Sequence, residues 1–100
     1  MTKGRPCISP EARELRKQIG LRLFILISAA GYVTQAEFAE ATKIRQGRIS
    51  KILNGIDRIP SDDLVIWADA LKVDRVEFCL DMMRFYDPEY YKCLRHFLEP

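Results

Sequence analysis

Apolar residues recur along most of this chain at the three- and four-residue spacing of helices. No strand-like alternation persists beyond a few positions. Leu15, Ile19, Leu23 and Ile27 form one stripe of a long first helix. Ser9-Pro10-Glu11 marks its start, with a capping serine, proline at the first helical position and an acid in the first turn. Gly31 marks its end. The second half of this helix, LRLFILISAA, is apolar on almost every side. It must therefore be covered on two faces, by the C-terminal helices, by a second subunit, or by both. Thr34-Gln35-Ala36-Glu37 reads as a capping box opening a short second helix to about Ala41. A third helix is predicted from Gln46 to Leu53, stopped by Asn54-Gly55. After a break at Ile59-Pro60, Ser61-Asp62-Asp63 begins a fourth helix with Leu64, Trp67, Ala68 and Leu71 as its core stripe. Asp74 to Glu77 caps a fifth helix through about Phe85, and Asp87-Pro88-Glu89 opens a terminal one.

Composition places this helical pattern in a single globular domain with short appendages. In 100 residues, 48% hydrophobic and 30% charged, there is material for one modest core and little reason for disorder. The greasiest run, Leu21 to Ile27, is interrupted by Arg22 and falls far short of the roughly 20 residues that span a bilayer. With no signal-peptide layout at the N-terminus, the expected location is the cytoplasm and no membrane partner is expected. Cys7, Cys79 and Cys93 form no C-x-x-C pair, and a Cys93/His96 metal site would need two further ligands that the sequence does not place. Reduced thiols and no cofactor are the expectation. A single histidine and no nucleophile–base pair or carboxylate dyad argue against an enzyme.

Charge changes the picture more. Residues 1–58 hold eleven Lys/Arg against five Asp/Glu, a net +6, whereas residues 59–100 hold five against nine, a net −4. Between 41 and 58 there are five basic residues and one acid, Asp57. A basic half joined to an acidic half suggests one face for a polyanion and another for something else.

From Thr34 to Phe78 the sequence resembles the phage-repressor-like (Cro/C1, XRE-type) helix-turn-helix family. The resemblance rests on Thr34-Gln35-Ala36-Glu37-Phe38-Ala39, Ile44, Ile49-Ser50 and Asn54-Gly55 at matching spacing. Ala70-Leu71-Lys72-Val73, with Val76 and Phe78, resembles the family's later core positions. Two departures stand out. Lys43 occupies the place of a glycine that takes the left-handed conformation, at a cost of about 1 kcal/mol, and Thr42 replaces the leucine before it. The family's ion pair between the first helix and the end of the recognition helix maps to Ser28 and Leu53. Losing both charges together leaves none unpaired; a preserved packing arrangement predicts that these two residues touch.

The resemblance implies an all-α, five- to six-helix, lambda-repressor-like domain at residues 9–80, with the helix-turn-helix at 34–55. It also implies a basic arm at 1–8 and a C-terminal helical extension at 81–100 that serves dimerisation. In this motif the third helix lies in the major groove and the second crosses the backbone. Arg45, Gln46, Gly47 and Lys51 are then the base-reading residues: Gln46 matches adenine bidentately, Lys51 or Arg45 suits guanine, and Gly47 allows close approach. Gln35 resembles the family's phosphate-contacting glutamine, with Lys43, Arg48, Ser50, Asn54 and Arg58 as further phosphate candidates. Ile44, Ile49 and Ile52 point inward. Lys3-Gly4-Arg5-Pro6 is similar to short arms that enter the minor groove, through Lys3 and Arg5, or is an ordinary basic terminus. The aromatic and apolar cluster Phe85, Tyr86, Tyr90, Tyr91, Leu94 and Phe97 suits core and dimer packing better than a ligand site. The expected function is repression by a homodimer on a palindromic operator in double-stranded DNA. The alternative is an antitoxin-like adaptor that binds a protein partner through its C-terminal helices and autoregulates its operon.

Overall fold

A computed structural model describes residues 9–98, with side chains described to residue 96. The expected arm with Lys3 and Arg5, and the side chain of Phe97, lie outside this description. Six α-helices, and no strand, are present among the described residues.

Helix α1 spans Pro10–Ala29. The Ala12 amide donates to Ser9 Oγ at 3.1 Å, and Pro10 costs nothing at the first position because its missing N–H has no intrahelical partner there. The chain leaves α1 through Gly31, whose φ of 104° suits only glycine. Helix α2 spans Gln35–Thr42 and α3 spans Gln46–Leu53. The Glu37 amide donates to Thr34 Oγ1 at 3.1 Å, while the Glu37 carboxylate accepts from Val33 N–H at 2.8 Å. The box is thus closed one residue further out than the usual reciprocal pair.

The fourth helix departs from the sequence reading. Ser61–Asp63 forms a 3₁₀ turn without a side-chain cap, and α4 proper spans Leu64–Leu71. Lys72, after α4, takes the left-handed conformation at φ 63° and sends its ammonium to the Ala30 carbonyl at 3.2 Å. It thereby supplies one of the acceptor-rich carbonyls at the C-terminus of α1 with a donor from another helix. Helix α5, Arg75–Tyr86, starts where Asp74 accepts from the Glu77 amide at 2.9 Å, and α6 spans Pro88–Leu98.

The core draws on α1 to α5. Ile19, Leu23, Phe38, Ile49, Ile52, Ile59, Trp67 and Met82 are its most deeply buried large side chains. Phe38 sits at its centre, edge-on to Trp67 at 4.9 Å and to Tyr32 at 5.2 Å between ring centroids. Such edge contacts add to the hydrophobic burial. Tyr32 also donates its hydroxyl to Ala70 O at 3.0 Å, which joins the α1–α2 loop to α4.

Only one side of α1 is covered within the chain. Leu21, Phe24 and Ile25 remain 63%, 52% and 59% exposed on its outer face. Arg22, at the edge of that face, pairs with Asp81 of α5 at 3.0 Å. Among the described residues no helix is long and apolar enough to cross a membrane. Cys79 is half-buried against the core, where burial pushes its thiol pKa up, and Cys93 is exposed.

Candidate nucleic-acid interface

The turn between α2 and α3 is set by three adjacent residues. Lys43 lies at φ 63°, ψ 25°, the left-handed conformation expected of it. Thr42, buried beneath the turn, donates its hydroxyl to Phe38 O at 2.9 Å and accepts from the Ile44 amide at 3.2 Å. That hydroxyl bridges the end of α2 and the approach to α3, spanning the strained lysine. The sequence showed Thr42 only as a departure; the bond that makes it useful depends on Lys43 being left-handed.

Helix α3 is held from one side and open on the other. Ile49 and Ile52 are 0% and 1% exposed, Ile44 is half-buried against the core, and Arg45, Gln46, Gly47, Arg48 and Lys51 are exposed. The helix therefore presents the residues proposed for base reading while its apolar stripe fixes its axis. Its N-terminus carries no side-chain cap, which leaves the positive end of the helix dipole without a carboxylate or hydroxyl acceptor. Arg45 and Lys51 have no acidic partner within 4.0 Å among the described residues.

The residues proposed for phosphate contact are less uniform. Gln35 is half-buried at the first position of α2 and shares a groove with Leu53 and Asn54. Lys43 is exposed and pairs with Glu40 at 2.8 Å, and Arg48 is drawn toward Asp63 at 3.6 Å. Asp57 and Asp63 line the groove beside α3 together with Lys43, Arg45, Arg48 and Lys51, so two carboxylates sit within the basic surface. Asn54 donates from Nδ2 to Ser50 O at 2.9 Å, which closes the C-terminal end of α3, and Ser50 is half-buried.

Arg58 stands apart. Its guanidinium stacks over the Tyr86 ring at 4.6 Å and pairs with Asp87 at 2.6 Å. Tyr86 in turn accepts from the Ile59 amide at 3.2 Å. Arg58 hydrogen-bonds to Asp87 and holds its carboxyl below the ordinary aspartate range, while burial pushes the Tyr86 phenol up. This arrangement tethers the loop after α3 to the junction of α5 and α6. Phe85 and Tyr86 both pack against the core, whereas Tyr90 is exposed and Tyr91 and Leu94 are half-buried on α6.

The expected contact between Ser28 and Leu53 is replaced by another. Leu53 lines a groove with Gly20, Leu21 and Phe24, and Ser28 is exposed. A Cβ on Gly20 would run into the backbone carbonyl of Leu53 and stand 3.0 Å from that of Ile52. Glycine is what lets α1 meet the end of α3 this closely, so backbone contact and the Leu53 side chain take over from the ion pair. Periodicity carried no hint of Gly20, because a glycine inside an apolar run reads only as a weak helix position.

Residues 30–78 match a family model described as Helix-turn-helix. No curated protein and no solved structure gives a match to this chain. The match covers α2 and α3, the turn between them, α4 and the start of α5, the same elements that present the exposed basic helix. Through residues 30–78 this chain is a member of the phage-repressor-like (Cro/C1, XRE-type) helix-turn-helix family of DNA-binding transcription regulators.

Proposed function

We propose that the protein is a repressor that binds a palindromic operator as a homodimer, with α3 in the major groove. The observation that carries this reading is α3 itself: a helix anchored by fully buried Ile49 and Ile52 whose opposite face offers Arg45, Gln46 and Lys51 free of acidic partners. Gln46 reads adenine, and Lys51 or Arg45 reads guanine. No atom lies within 4 Å of where a Cβ on Gly47 would stand, so the fold has no need of glycine there; its bare surface suits close approach of DNA. Gln35, at the amino end of α2, contacts phosphate, with Lys43, Arg48, Ser50 and Asn54 in support. Arg58 acts indirectly, by holding the loop after α3. Dimerisation uses the outer face of α6, through Tyr90, Tyr91 and Leu94.

A second reading, an adaptor that holds a protein partner and autoregulates through the helix-turn-helix, draws support from the uncovered face of α1 at Leu21, Phe24 and Ile25. Light scattering separates the two: a stable homodimer favours the first, a monomer the second. The DNA-binding proposal is tested by two variants. Lys51→Ala weakens specific binding by about 1–3 kcal/mol and relaxes one operator position, whereas Gln35→Ala weakens all sequences alike. Unchanged operator binding in both variants would sink the docking arrangement.

A further inference from the structure

Beyond the segment that carries the family resemblance, the N-terminal half of α1 brings a second basic surface to the same side of the molecule. Two grooves adjoin there. One holds Lys17, Gln35 and Asn54; the other holds Arg13, Lys17, Asn54, Gly55 and Ile56. Lys17 and Asn54 border both, so a single furrow runs from the amino end of α2, past the turn that ends α3, to Arg13.

Arg13 and Lys17 are four residues apart, hence on one face of α1 and about 6 Å apart along its axis. Both are exposed, and neither has an acidic partner within 4.0 Å among the described residues. This sets them apart from Lys43, Arg48 and Arg58, each of which faces a carboxylate within the chain. Lys17 is also fixed in place. Gly55 sits at φ 76°, and a Cβ on it would stand 2.9 Å from the Lys17 N, Cα and Cγ atoms. The backbone of α1 is therefore pressed against the turn that ends the recognition helix, and the position of Lys17 follows that of α3.

We propose that Arg13 and Lys17 form a phosphate-binding strip that grips the duplex backbone beside the stretch read by α3. The strip extends the contact made by Gln35 and the amino end of α2, and it rests on the DNA-binding reading above. It adds affinity without sequence information, because phosphates are the same at every step. Its position on the far side of Asn54 from Lys51 implies a footprint longer than the base-reading helix alone would give.

The salt dependence of binding tests this. The probe is a labelled duplex of about 30 base pairs, three helical turns, in random sequence and in a selected operator. Each phosphate contact contributes about 0.9 to the slope of log K against log salt. Arg13→Gln and Lys17→Gln should each lower the slope by about that amount, and the double variant by about twice as much. Extrapolated from 1 M to 0.1 M salt, each lost contact weakens binding about eightfold, equally for operator and random duplex. Lys17→Arg should retain the parent slope, as should Lys92→Gln on α6. Thermal midpoints close to that of the parent show that the variants are folded. A slope unchanged in the folded double variant overturns the strip and leaves base reading by α3 intact. Loss confined to the operator duplex also overturns it, since that is the mark of a base contact. Failure of the parent chain to bind either duplex overturns both the strip and the DNA-binding reading.

Discussion

Replacing Gly20 by alanine puts a methyl group where α1 and α3 meet backbone to backbone. The new Cβ would collide with the Leu53 carbonyl oxygen, stand 2.8 Å from its carbon and 3.0 Å from the Ile52 oxygen. None of these atoms belongs to a side chain that can rotate away, so α1 and α3 must separate. Overpacking of this kind costs about 1–3 kcal/mol, with the upper end expected where backbone is the obstacle. Alanine returns about 1 kcal/mol through its better helix propensity. The net expectation is a loss of about 1–2 kcal/mol. For a domain of this size each 1 kcal/mol moves the thermal midpoint by about 4–8 °C, so a fall of roughly 5–15 °C is expected. Gly47→Ala is the matched control, because its Cβ meets nothing within 4 Å. Only the propensity gain applies there, and the midpoint should rise by about 4–8 °C. Thermal unfolding followed by far-UV circular dichroism reads both variants. A Gly20→Ala protein as stable as the parent would refute the close-contact argument.

Other substitutions probe the turn and the tether. Thr42→Val removes the acceptor for Ile44 N–H and the donor to Phe38 O, and should destabilise by about 1–3 kcal/mol in urea unfolding. Lys43→Gly relieves about 1 kcal/mol of left-handed strain, partly offset by the freer unfolded chain, and should raise the urea midpoint. Lys72→Gly should gain less than Lys43→Gly, because it also loses the bond to Ala30 O. Stability against pH separates the two halves of the tether. The Asp87 carboxyl is lowered by its hydrogen bond to Arg58, so its stabilisation is present above about pH 4 and is lost as pH falls through the depressed folded value. Asp87→Asn should flatten that acid limb. The Tyr86 phenol is raised by burial, so its contribution is present below about pH 10 and is lost as pH rises through the elevated folded value. Tyr86→Phe should flatten the alkaline limb.

Local signals account for most of what could be read along the chain. Ser9-Pro10, Thr34 with Glu37, and Asp74 with Glu77 each bond within four residues of themselves, so the starts of α1, α2 and α5 were legible without tertiary information. The inward turn of Ile44, Ile49 and Ile52 followed from spacing alone, and it fixes which face of α3 is exposed. Distant contacts were not legible. Arg58 resembles any basic residue after a recognition helix, yet Asp87, 29 residues further on, takes its guanidinium. Tyr86 and Phe85 looked like interface aromatics until the fold drew both against the core. Leu53 found Gly20 and Phe24 where Ser28 was expected, because the approach of α1 depends on a missing side chain. Ser61-Asp62-Asp63 has the composition of a helix start but closes as a 3₁₀ turn, with Asp63 turned toward Arg48.

The claim that α3 reads duplex DNA as half of a symmetric pair is tested most directly by selecting binding sites for the chain from a random duplex pool. The account predicts enrichment of one inverted repeat with half-sites about one helical turn, 10–10.5 base pairs, apart. It also predicts that Lys51→Ala loses preference at one position in each half. A pool that stays unenriched through selection, with no repeat emerging, would contradict it.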